Sequence, residues 1–78
     1  MYSNVALLAM NANDVEKELQ DAFQSLEKCE ELRKTGELKA LGMNYPEVAS
    51  NIYAECAQLY RRLADICDAY SAKLDEMH

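Results

Sequence analysis

Residues 5–29 read VALLAMNANDVEKELQDAFQSLEKC, and within them Val5, Leu8, Ala12, Val15, Leu19, Ala22, Leu26 and Cys29 recur at alternating spacings of three and four. This is the seam of a coiled coil, a stripe held on one side of an α-helix over four heptads. Such a stripe packs against other helices, so the stretch predicts an all-α fold and asks for a partner surface. Its start has two solutions. Ser3 or Asn4 can cap a helix beginning at Val5, or Asn13 can cap one with Asp14 in the first turn and Glu16 closing a capping box. The indifferent helix propensity of Asn11, Asn13 and Asp14 favours the later start, whereas the unbroken register through Ala12 and Val15 favours the earlier. We follow the register and expect one long helix over about residues 3–34, with a kink or fray near Asn11 to Asn13 as its weak point.

Beyond this helix, Thr35-Gly36 supplies the stop. Glycine accepts the left-handed conformation that closes a helix, and Arg33 and Lys34 suit the negative end of the helix dipole. A connector over about residues 35–45 follows, in which Glu37 to Leu41 can form one turn halted at Gly42; if Gly36 is tolerated inside the helix, the helix ends at Gly42 instead. Asn44 as a cap, Pro46 in the first turn and Glu47 completing a capping box start a second helix that runs over about 46–76. Ile52, Cys56, Leu59, Leu63, Ile66 and Tyr70 continue the seam spacing along it, and Tyr53, Tyr60, Cys67 and Leu74 form a parallel row repeating every seven residues. The stripe is therefore wider than a two-stranded coiled coil requires and should meet more than one neighbour.

Two helices of about 30 residues, each roughly 45 Å long, joined by a short connector, describe an antiparallel helical hairpin forming a single helical domain over 1–78. A lone hairpin leaves Tyr53, Tyr60 and Leu74 partly wet, so two hairpins docked into a four-helix bundle are the expected assembly. Docking on an unrelated helical protein ranks second, and a monomer in which residues 3–11 fold back as a separate helix ranks third. Size supports the need for assembly: at 78 residues a lone core is marginal.

Composition and charge exclude other roles. Good helix formers dominate, with two Gly, one Pro and no Trp. A net charge of −6 opposes direct binding to nucleic acid or to an anionic membrane surface. The apolar run Val5 to Met10 lacks a basic flank and is too short for a signal or a membrane span, which makes a cytoplasmic location the expectation. Cys29, Cys56 and Cys67 form no CxxC pair and leave an odd one over, so they read as small buried hydrophobes with free thiols rather than as a disulfide framework.

Residues suited to catalysis are scarce. His78 is the sole histidine and the last residue, and Cys56, Cys67 and His78, eleven apart, are spaced roughly 16 Å per step along a helix, too far to share a metal. The carboxylates lack the Glu-x-x-His pattern of a di-iron bundle and interleave with Lys and Arg as a solvated face does. No phosphate loop, nucleophile elbow or zinc pattern occurs. No enzyme activity and no cofactor is therefore expected. The Arg61-Arg62 doublet reads first as local ion pairs with Asp65 and Asp68, and Arg61 also as a docking point for an acidic group. Tyr53, Tyr60 and Leu74, with apolar bodies at helical spacing, are the candidate partner-binding residues. The expected function is a protein–protein interaction module, a small adaptor or chaperone that forms a homodimer or docks on a helical protein partner. Two alternatives differ in class: an acidic inhibitor occupying the basic nucleic-acid groove of a target, and a bundle holding a small ligand in voids at Ala12, Ala22, Ala57 and Ala64.

Overall fold

Asparagine decides where the first helix breaks. In the computed structural model, which describes residues 4–76, the chain forms α1 (Asn4–Ala9), α2 (Ala12–Lys34), α3 (Glu37–Asn44) and α4 (Pro46–Glu76), and no strand occurs among the described residues. The fold is all-α. The single helix expected over 3–34 is instead two: Asn11 adopts extended backbone (φ −77°, ψ 167°), and its Oδ1 accepts the Asp14 N–H at 2.9 Å. The cap satisfies a donor that would otherwise be orphaned, offsetting the loss of helical bonds at the break. Asn11 rather than Asn13 is the cap, because its carbonyl also accepts the Val15 N–H at 3.1 Å.

The break shifts the seam by one residue. Leu7 is 1% exposed whereas Leu8, which the heptad register places in the core, is 52% exposed. After the break the register resumes, with Val15, Ala22 and Leu26 buried and Ala12 and Leu19 partly so. The proposed Ser3 cap, the side chain of Val5 and His78 lie outside the described residues.

At its far end α2 stops on Gly36, whose φ of +79° is the left-handed conformation. The Thr35 N–H closes on the Glu31 carbonyl at 3.0 Å and the Gly36 N–H on Arg33 at 3.3 Å. The connector is more helical than one turn: α3 passes through Gly42 and ends at Asn44. A Cβ at Gly42 would lie 3.8 Å from Ala49 Cβ, an ordinary contact, so nothing there halts the helix. Asn44 does not cap α4, because its side chain turns back to donate to the Ala40 carbonyl at 3.1 Å. Tyr45 precedes Pro46 instead, and its carbonyl accepts the Ala49 N–H.

The 31 residues of α4, roughly 46 Å of helix, are the spine on which α1, α2 and α3 all pack. Cys29 meets Cys56, Glu18 meets Arg62 and the Leu8 carbonyl meets Lys73, so residues early in the chain lie beside residues late in it, in reverse order. The core is Leu7, Val15, Ala22, Ile66 and Ala69, flanked by Met10, Leu19, Leu63 and Tyr70. With Cα extents of 51 × 21 × 14 Å the molecule is elongated along the α2 and α4 axes.

One expectation about the cysteines is overturned. Cys29 and Cys56 are joined as a disulfide between α2 and α4, with Cα atoms 6.2 Å apart and 27 residues between them in sequence. Each cysteine lies on an apolar helix face, as a buried hydrophobe would, but the packing of α2 on α4 brings the two faces together within bonding reach. Cys67 is free and exposed. Among the described residues no helix is long and apolar enough to cross a membrane.

Candidate protein-binding groove

Side by side, α2 and α4 leave a valley between them. On α2, Phe23, Leu26, Glu27, Glu30, Glu31 and Lys34 follow the three-and-four spacing that keeps side chains on one flank. Tyr60 and Leu63 face them from α4, enclosing an open trough of about 730 Å³. Leu26 is buried in its floor and Leu63 partly so, while Phe23 and Tyr60 stand as half-exposed walls. The lining is apolar at the base and charged at the lip.

Tyr60 is held in place by its hydroxyl, which donates to the Glu30 carboxylate; Glu30 also accepts from Arg33 Nη2 at 3.0 Å. These bonds, that from Tyr60 foremost and that from Arg33 next, hold the Glu30 carboxyl below the usual carboxylate range. Reciprocally, donation to Glu30 pushes the Tyr60 phenol above its ordinary value. The arrangement fixes an aromatic ring at the edge of an apolar trough. Among the described residues no group of three or more His, Cys, Asp or Glu side chains is placed to hold a metal ion.

Of the four residues singled out from sequence, the structure places Tyr60 in the trough. Tyr53 and Leu74 are exposed on the same flank of α4, two and four turns away, and Arg61 is exposed beside Tyr60. The whole row Tyr53, Tyr60, Cys67 and Leu74 is therefore open to solvent. The Arg61-Arg62 doublet behaves differently from its expected local pairing: Arg62 reaches across to Glu18 of α2 at 3.0 Å, an ion pair with both side chains mostly covered. The alanine positions proposed as ligand voids do not surround this trough, since Ala22 is buried in the core and Ala64 faces solvent.

Sequence reading missed Phe23 and the acidic lip. Phe23 is the one phenylalanine in the chain and sits one residue off the seam. That was its signal, because a large aromatic outside the seam either serves a second interface or stays in water. Glu27, Glu30 and Glu31 belong to the charged face that interleaves with Lys and Arg, and only the trough beside them makes them a lip. No protein-family model, curated protein or solved structure matches the chain.

Proposed function

We propose that the chain is a non-enzymatic protein–protein interaction module, a helical hairpin of α2 and α4 that completes its core by taking on further helical surface. The observation that carries this reading is the apolar trough between Phe23 and Tyr60, left open between α2 and α4. The chain exposes 5773 Å², more than the roughly 4,800 Å² of a compact monomer of its mass, as its elongated shape requires. A second copy, giving a four-helix bundle, or a helix from another protein would each cover the trough.

Two measurements test the reading together. Sedimentation across a hundredfold concentration range reports self-association, and selection from a displayed library of amphipathic helices reports a foreign partner. Association in either assay, abolished by Phe23→Glu with helicity retained by circular dichroism, is the expected result. A well-folded monomer that selects no helix sensitive to Phe23→Glu would overturn it.

The proposal includes a cytoplasmic site of action, where Cys29 and Cys56 would spend their time as facing thiols. Rapid alkylation of cells expressing the chain, followed by counting of modified cysteines, decides this point: a closed pair in intact cells is the contrary outcome.

A further inference from the structure

We infer that the Phe23–Tyr60 trough receives the apolar face of a basic amphipathic helix, three to four turns long, belonging to another protein. The inference rests on the interaction-module reading and names its partner. Three features of the groove lead to it.

Length comes first. The trough runs along α2 from Phe23 to Thr35, a rise of roughly 18 Å, or a little over three turns. A valley between two parallel-sided helices, with a leucine floor and aromatic walls, is filled by a third helix that presents anchors at i, i+3 or i+4, and i+7. The molecule already uses this solution at its other end, where α1 lays Leu7 onto the core formed by α2 and α4.

Charge selects the sign. Glu27, Glu30 and Glu31 border the trough with Lys34; Arg33 is paired with Glu30 at 3.0 Å, so the lip's excess negative charge rests on Glu27 and Glu31, and the chain as a whole carries −6. Lysine or arginine flanking the apolar face of an incoming helix would meet this lip directly, and the net charge would speed its approach. Glu30 keeps its negative charge to lower pH than an ordinary carboxyl because Tyr60 and Arg33 hydrogen-bond it.

Charge also argues against a second copy in this trough. A two-fold contact brings the same patch of both chains together. Two lips, each still net negative with Lys34 and the Arg33 paired to Glu30 counted, would then face one another, and like charges juxtaposed in an interface are unfavourable. An unlike partner avoids that conflict.

The test uses the full chain and three synthetic 14-residue peptides, titrated by fluorescence anisotropy. One carries leucine on a single helical face with lysine elsewhere, the second replaces every lysine by glutamate, and the third scrambles the first so that no apolar face exists. The expected result is saturable binding of the lysine peptide, at least tenfold weaker binding of the other two, and at least tenfold loss on Phe23→Glu. The double variant Glu27→Lys, Glu31→Lys should lose a similar factor for the lysine peptide and gain affinity for the glutamate peptide. Both sites are exposed, so circular dichroism should be unchanged. Equal binding of the lysine and glutamate peptides would overturn the charge assignment while leaving an interaction module. So would self-association abolished by Phe23→Glu, which would assign the trough to a second copy. Lysine-peptide binding that disappears with salt but ignores Phe23→Glu would show only diffuse attraction to an acidic chain and also overturn the inference. Absence of both peptide binding and self-association would remove the module reading with it.

Discussion

The same pair of helices, α2 and α4, is closed where α1 and α3 lie on it and open along the trough. Val15 and Ile66 near α1, and Leu26, Leu38 and Ala49 near α3, are almost wholly withdrawn from water; Phe23 and Tyr60 keep about half their surface exposed. Residue type does not explain the difference, because phenylalanine is at least as apolar as valine. What differs is the presence of a third element. Near Val15, α1 breaks away from α2 at Met10–Asn11 and turns Leu7 onto the pair. In the middle of α2 nothing among the described residues does the same, and the valley between the helices stays open.

The comparison can be broken most forcefully at the staple between α2 and α4. Reducing Cys29–Cys56, or replacing Cys56 by serine, frees a loop with a sequence separation of 27, and chain entropy sets the expected loss at about 3–4 kcal/mol. Urea denaturation with and without dithiothreitol measures it, and an unchanged midpoint would show that the pair contributes nothing to holding α2 on α4. Next in size is the contrast between the closed Leu7 site and the open trough. Leu7→Ala should cost about 2–3 kcal/mol, because it empties a filled site, and Phe23→Ala under about 0.5 kcal/mol, because its ring is half in water already. Similar costs for the two would mean that the Leu7 site and the trough are equally packed.

The two glycines sharpen the picture by about 1 kcal/mol each, in opposite directions. Gly36→Ala should destabilise, since φ is +79° there. Gly42→Ala should stabilise by about 0.5–1 kcal/mol, since it lies within helix α3 and its Cβ would meet only Ala49 at an ordinary distance. Thermal denaturation of both variants reads the sign. The smallest effect is titrational. Tyr60 should ionise above the ordinary phenol range in an absorbance titration, and Glu30→Gln should bring it down. The sign follows from linkage: Glu30 is depressed in the folded state, so its contribution is present above the unfolded carboxyl's pKa and lost as pH falls through the lowered value. Tyr60 is raised, so its contribution is present below the unfolded phenol's pKa and lost as pH rises through the raised one. The bond operates in the window between.

Much of this fold is legible along the chain, and the illegible parts share a cause. Gly36 and Pro46 punctuate the helices where their backbone preferences dictate, and the heptad spacing marks Val15, Ala22 and Leu26 as inward-facing. The break at Asn11 was readable only as a weak point, because three residues of middling propensity compete with a register that continues through them. Of the candidate site, Tyr60 was legible from its interfacial chemistry and spacing. Phe23 was not, because its meaning depends on Tyr60 and Leu63, some forty residues away.

By itself, then, the sequence determined that this protein is helical, where its last long helix begins, and which stripes of its helices are apolar. These are local properties, set by backbone preferences and by a period of three to four residues. Only tertiary structure decided that Leu7 rather than Leu8 turns inward, that Cys29 finds Cys56, that Arg62 reaches Glu18, and that Phe23 and Tyr60 flank one trough. Each of those outcomes depends on which flank of one helix lies against which flank of another. That rotation about the helix axis is fixed by the whole set of packed side chains and by no short stretch of the chain.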